Sequence, residues 1–273
     1  MTETVRKTRS YTQIDTYKRC PELYRIKYVL RLREEPSVWS VGGVAFHQVA
    51  EWYLGGDLGE HPEGTRITNA WETAWELALD EAKKKLGPEH SEDVTTWRAA
   101  NRGKEDASWW YRAGRRMVAE FIDWKSEGPG RDLTVFSEGD RKFLEAELRV
   151  EFGADVPVVA VPDWLAVDEH GQLCIVDYKT GKPPRQSYQL GVYRAALLRA
   201  TGLDAQWGLY YMARDVRLIP ADLTRYDPAA IEADFTEIDA RINAGEFDPT
   251  PGEPCKFCPF KRTACRYYNP EVS

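Results

Sequence analysis

No stretch of the 273-residue chain approaches the roughly 18 consecutive apolar residues that a membrane-spanning helix requires. The N-terminus carries Arg6, Lys7 and Arg9 with no apolar run behind them, so no secretory signal is expected. The cytoplasm is therefore the default location, with no membrane partner. Positive charge is not in excess either: the net charge is −7 at pH 7. That balance argues against a protein that coats nucleic acid non-specifically. It leaves room for an enzyme with a local basic groove and acids clustered for metal ions. Cysteine is scarce and odd in number, at five residues, which argues against a disulfide framework. Internal repeats and low-complexity tracts are also missing.

What is present describes a globular protein, with 42% hydrophobic and 30% charged residues. Eight of the ten tryptophans precede residue 125, so the N-terminal half differs in character from the rest. Residues 10–33 read as two short helices. Ser10 or Thr12 caps the first, and Pro21 sits in the opening turn of the second, with Leu23, Ile26 and Val29 inward. Gly42-Gly43 is expected to open a helix over 44–54 that places His47 and Glu51 on one face, with Gly55-Gly56 ending it. Amphipathic helices follow over 66–86 and 104–127, so 50–130 reads as a helical insertion ahead of a sheet. Alternation over Leu144–Phe152 predicts a half-buried strand, with Glu145, Glu147, Arg149 and Glu151 on its outer side. Further along, a helix is expected over 187–200, strands over 206–212 and 215–220, and a helix from Asp227-Pro228 to Gly245. The order helix, strand, strand, strand, helix, strand is that of an α/β layered fold with a mixed sheet.

The central stretch is 158–182. Two apolar runs flank the turn Asp168-Glu-His-Gly171, a β-hairpin pattern. Pro162 cannot donate a ladder hydrogen bond, so a bulge or strand end is expected beside Asp163. In the second run Leu173, Ile175, Asp177 and Lys179 share one face, because side chains alternate along a strand. Two nearby carboxylates repel unless a cation sits between them, and oxygen donors suit Mg²⁺ or Mn²⁺. A lysine beside such an ion can orient water or stabilise charge on phosphate. His47, in a Gly-x-x-x-His pattern, is a candidate ligand to the same ion.

Two further sets accompany the hairpin. Gln189 and Tyr193 lie four apart on the next helix, where an amide and a phenol side by side could contact a DNA backbone or position the lysine. Cys20 joins Cys255-x-x-Cys258-x6-Cys265 as a set of soft thiolates suited to zinc or an iron–sulfur cluster. One cysteine is remote and three are close, so any shared site ties the two ends of the chain together, an arrangement that leans toward a cluster. Cys174 has the opposite parity to Asp177 on its strand and is assigned to the core.

Taken together, these motifs resemble the PD-(D/E)XK nuclease superfamily. The nearest branch looks like the RecB-like exonucleases with an iron–sulfur cluster, which include the CRISPR-associated Cas-four group, AddB-type nuclease domains and phage-encoded relatives. The motifs that carry the likeness are Tyr17-Lys-Arg-Cys20-Pro21, Gly43-Val-Ala-Phe-His47, Pro162-Asp163, Asp177-Tyr-Lys179-Thr-Gly-Lys182, Gln189-Leu-Gly-Val-Tyr193 and the C-terminal cysteine triplet. One departure is Ala160, where the family often has Gly.

The resemblance implies a restriction-endonuclease-like core, a mixed central sheet flanked by helices, with the helical insertion at 50–130 and a C-terminal iron–sulfur region. It implies a single nuclease domain over 1–273, a catalytic core over 140–220, and a cluster-binding tail over 248–273 joined to Cys20. His47, Asp163, Asp177 and the Tyr178 carbonyl would bind Mg²⁺ or Mn²⁺. Lys179 would activate or orient the attacking water, supported by Gln189 and Tyr193. Cys20, Cys255, Cys258 and Cys265 would hold a 4Fe-4S cluster. The implied reaction is exonucleolytic hydrolysis of single-stranded DNA or DNA ends in recombination, repair or replication. Two alternatives stand beside it: a non-catalytic zinc- or cluster-containing DNA-binding module, and an endonuclease partnered with CRISPR adaptation proteins.

Overall fold

A computed structural model describes residues 8–58, 63–88, 90–261 and 263–267. The last six residues of the predicted cysteine-rich tail lie outside the described residues.

The chain enters through Arg9, which the sequence grouped with a polar N-terminus and which is in fact fully buried. It forms an ion pair with Asp239 at 2.5 Å, and its backbone bonds to Pro157 and Val159. A buried charge is tolerable only when paired in this way. Helix α1 (Tyr11–Arg19) is capped by the Ser10 side chain. Cys20 breaks it with an extended backbone, and Pro21 opens α2 (Pro21–Tyr24), which continues into a π-helical turn over Arg25–Val29. Leu23, Ile26 and Val29 are buried, as expected.

Three long helices follow: α3 (Val38–Gly55), α4 (Glu63–Lys84) and α5 (Ala107–Ser126). Helix α3 begins four residues before the glycine pair that was expected to open it. Gly42 is interior because a neighbour approaches too closely for any side chain, and Gly43 makes a tight but lesser contact. A Cβ at Gly42 would meet the Trp110 ring at 2.3 Å, and one at Gly43 would lie 3.2 Å from the Thr180 hydroxyl. Tertiary packing here overrides the helix penalty of glycine, about 1 kcal/mol. Gly56, in the left-handed conformation with φ 87°, ends the helix as expected.

Short strands β1 (Thr134–Val135), β2 (Ser137–Glu138) and β3 (Arg141–Lys142) come next, then β4 (Leu148–Val150), β5 (Val158–Ala160), β6 (Trp164–Val167) and β7 (Leu173–Lys179). The strand expected over 144–152 shrinks to three residues. Glu145, at φ 43°, takes the left-handed conformation and breaks the alternation. The apolar run before Asp163 divides at Pro162. β5 pairs with β4 in a separate ribbon, whereas β6 pairs with β7. The strand end foreseen at Pro162 is therefore a change of sheet. At the hairpin turn Asp168 accepts from the backbone of His170 and Gln172, and Gly171 adopts φ 77°.

Helix α6 (Tyr188–Thr201) carries the chain from β7 to the parallel strand β8 (Trp207–Met212), and β9 (Arg217–Asp222) returns antiparallel. Pro220 is accommodated because β9 is an edge strand. Helix α7 (Pro228–Asn243) closes the fold, with Asp227 as its cap. The result is an α/β architecture with a mixed five-stranded sheet of order β1-β6-β7-β8-β9.

Strand β7 shows how the layers form. Ile175 belongs to a core with α1, α6 and α7, while Val176 and Tyr178 belong to a second core with α3, α4 and α5. Most of the tryptophans fill that second core: Trp71, Trp110 and Trp164 are almost wholly buried. Cys174 packs on the same side, and burial pushes its thiol up to about 12, consistent with a core role. Among the described residues, no helix is long and apolar enough to cross a membrane.

Candidate active site

The β6–β7 register pairs Trp164 with Val176. Continued by one residue, it sets Asp163 across from Asp177. β6 begins at Trp164, so the Tyr178 N–H runs past the end of the ladder. It donates instead to Asp163 Oδ2, at 2.5 Å. Both carboxylates are buried, Asp177 at 2% exposure and Asp163 at 8%. The Asp177 carboxyl is held above the ordinary carboxylate range by burial and by the charge of Asp163, with the Lys179 ammonium opposing.

His47 reaches the pair from α3. Its Nδ1 lies 3.3 Å from Asp163 Oδ1 and 3.4 Å from Glu145 Oε1. Burial alone would lower the His47 pKa, but the Asp163 and Glu145 carboxylates raise it to about 10. Glu145 is itself raised, chiefly by burial, with Asp163 and Glu51 adding to the effect. His47, Glu145 and Asp163 form a group whose ligand atoms lie within 4.8 Å of one another. The expected ligand Asp177 stands beside that group, in an ion pair with Lys179 at 2.6 Å.

Glu145 is the residue that sequence reasoning missed. Its alternation with Leu144 and Ala146 placed it on the outer side of a strand. The left-handed backbone turns it inward instead. Backbone bonds from Glu145 to Asp163 (2.8 Å) and from Leu165 to Phe143 (2.9 Å) lock the segment against the start of β6. A glutamate in that conformation stores strain of the kind that gathers at functional sites. Glu51, on the same helix face as His47, accepts from Gln48 and stays outside the ligand group.

Lys179 projects from the same face of β7 as Asp177, as alternation predicted. Its Nζ also donates to Gln189 Oε1 at 2.9 Å, and Gln189 Nε2 donates to Tyr193 Oη at 2.7 Å. The amide and the phenol are thus a cradle for the lysine.

The donor set fits a divalent cation. Two carboxylates and one imidazole converge with Asp177 beside them, and the two acids with raised pKa, Glu145 and Asp177, gain most from a nearby positive charge. Carboxylate oxygen suits Mg²⁺ and Mn²⁺, and the imidazole favours the softer Mn²⁺.

The second set is gathered at the far end of α1. Cys20, Cys258 and Cys265 pack against Leu23, Ile26 and Phe260 in a small apolar cluster. Burial raises the Cys258 thiol, and the proximity of Cys265, Cys20 and Cys255 raises it further. The two ends of the chain meet here, with Cys20, Cys258 and Cys265 in one apolar cluster.

This fold and this acid, lysine and histidine geometry are those of a nuclease. Residues 8–266 match the family model of the PD-(D/E)XK nuclease superfamily, and the chain belongs to that superfamily. Its nucleases use divalent metals, and DNA is the substrate the family implies. Two phage proteins are similar along almost their whole length. The chain is 30% identical to the Gene 69 protein of Mycobacterium phage D29 over 279 residues, covering 94% of this chain and 96% of the relative. It is 28% identical to the Gene 69 protein of Mycobacterium phage L5 over 292 residues, with the same coverages.

Proposed function

We propose that this protein is a Mg²⁺- or Mn²⁺-dependent DNA exonuclease, acting on single strands or DNA ends in recombination, repair or replication, and that it is phage-encoded like its relatives. The observation that carries the reading is the buried Asp163–Asp177 pair with Lys179 fixed between Asp177 and Gln189. Asp163, Glu145 and His47 would hold the ion, with Asp177 completing the set. A cation bound there supplies Lewis-acid polarisation of the phosphate and water acidified to hydroxide.

The chain's own groups do the rest. The Lys179 ammonium faces the site as a fixed positive charge, able to hold the attacking water or to stabilise charge growing on a phosphate oxygen. Asp177 pairs with it at 2.6 Å, and Gln189 fixes its direction. Tyr193 in turn fixes Gln189, so the lysine loses little freedom when substrate arrives. The four cysteines would hold a 4Fe-4S cluster with a structural role, because thiolates drawn from both chain ends close the longest loop in the molecule.

The experiment is incubation of the protein with end-labelled linear single-stranded DNA and with circular single-stranded DNA in Mn²⁺, against Asp177→Ala. The reading expects mononucleotide or short products from the linear substrate alone, and none with the variant. Cleavage of the circle would instead make it an endonuclease. Wild type and variant equally inert, with DNA still bound, would make it a non-catalytic binding module.

A further inference from the structure

A cleft of about 200 Å³ opens between the two N-terminal helices, the start of α3 and the cysteine tail. Its lining carries three cations, Arg19, Lys27 and Arg98, against one carboxylate, Glu34, together with the aromatic plane of Trp39. Each cation has a carboxylate partner: Lys27 pairs with Glu34 inside the cleft, Arg19 with Asp15 and Arg98 with Glu35. The Arg98 guanidinium lies over the Trp39 ring, 5.1 Å from its centroid. Backbone bonds fix this pairing: Arg98 N–H donates to Pro36 at 3.0 Å, and Val38 N–H donates to the Arg98 carbonyl at 3.1 Å. The acids near Arg19 and Arg98 are Asp15 and Glu35, at 3.4 and 3.6 Å in loose, exposed pairs that a phosphate can displace.

Trp39, Gly43 and His47 fall at i, i+4 and i+8 on α3, along one ridge of the helix. Eight residues at the helical rise separate Trp39 from His47 by about 12 Å. Gly43, midway, bears no side chain, and that space is taken by a close neighbour from across the helix. Its neighbour there is Thr180, the residue after Lys179.

We propose that this cleft binds a nucleotide of a single DNA strand, with its base on the Trp39–Arg98 platform and its phosphate on Arg19 and Arg98. From there the strand continues toward the acid cluster, about 12 Å away along α3. The run to the cluster rests on the nuclease reading; the binding itself does not. Base stacking on aromatic side chains tolerates any sequence, as a nuclease acting on arbitrary single strands needs.

The test uses the whole protein in Ca²⁺ and a fluorescent single-stranded oligonucleotide read by anisotropy. Trp39→Ala should weaken binding roughly tenfold, and Trp39→Phe should restore most of it. Arg98→Gln should lower the slope of log K against log salt by about 0.7, the signature of one lost phosphate contact, which a merely structural residue would not move. Where wild type is active in Mn²⁺, Trp39→Ala should raise KM for the oligonucleotide and leave hydrolysis of bis(p-nitrophenyl) phosphate, which fills only the acid cluster, unchanged. Wild-type affinity and salt slope in both Trp39→Ala and Arg98→Gln overturn the cleft assignment, as does no binding by wild type. Binding that fails to lead to cleavage of either substrate overturns the nuclease reading and leaves the cleft standing.

Discussion

Adding Mn²⁺ to the protein stripped of divalent ions should raise its melting temperature, and Asp163→Asn should abolish the rise. Asp163 is the group to change because its two oxygens face different partners: Oδ1 meets His47 and Oδ2 accepts from Tyr178 N. An ion binding only the folded state at a hundred times its Kd contributes about 2.7 kcal/mol. A chain of this size gains about 2–4 °C per kcal/mol, so the rise should be about 5–10 °C. Its pH dependence follows from the protons that the ion must displace. In the ion-free protein the imidazole of His47 is held up to about 10 by its carboxylate neighbours, a contribution present below about 6.5. It is lost as pH rises toward 10. Asp177 is raised by burial and by Asp163, so its ionisation also costs stability as pH climbs above the ordinary carboxylate range. Without the ion, stability should therefore fall with rising pH. The rise caused by Mn²⁺ should widen, because metal binding releases those protons. Scanning fluorimetry from pH 6 to 8.5 measures both trends. A rise of equal size in Asp163→Asn, or one that does not change with pH, would refute the reasoning.

Four further substitutions separate packing, cluster and lysine cradle. Gly42→Ala should cost about 1–3 kcal/mol, read as a lower denaturation midpoint, because the added methyl meets the Trp110 ring; wild-type stability would mean that α5 yields freely. Cys20→Ala should remove the broad visible absorption and brown colour expected of the cluster and lower thermal stability, whereas Cys174→Ala should keep the colour. Stoichiometric zinc without iron in wild type would overturn the cluster. Tyr193→Phe removes the acceptor that orients Gln189 and should lower kcat about tenfold while leaving the Mn²⁺ effect intact; an unchanged kcat would make the phenol a packing residue.

The hairpin was legible because each of its signals is local. Turn residues at 168–171, alternation in β7 and the proline before Asp163 fix which side chains share a face. The Gln189 and Tyr193 spacing was equally legible, since residues four apart on a helix must meet. What escaped the sequence depends on tertiary contact. Gly42 and Gly43 read as a helix start, yet they serve close approach by Trp110 and Thr180 inside the helix. Glu145 read as an exposed strand residue, because nothing in its identity announces a left-handed backbone. The strands over 134–142 are two residues each, partly polar, and too short for alternation to show. Arg9 read as surface charge because its partner, Asp239, lies 230 positions later.

The account rests on Lys179 as a group that acts in the reaction and does not hold the ion. The most direct measurement compares wild type with Lys179→Ala for both Mn²⁺ stabilisation and single-stranded DNA hydrolysis. The account predicts that the variant keeps the 5–10 °C rise worked out above and loses at least about a hundredfold in kcat. Hydrolysis at the wild-type rate by a variant that still binds Mn²⁺ would contradict it.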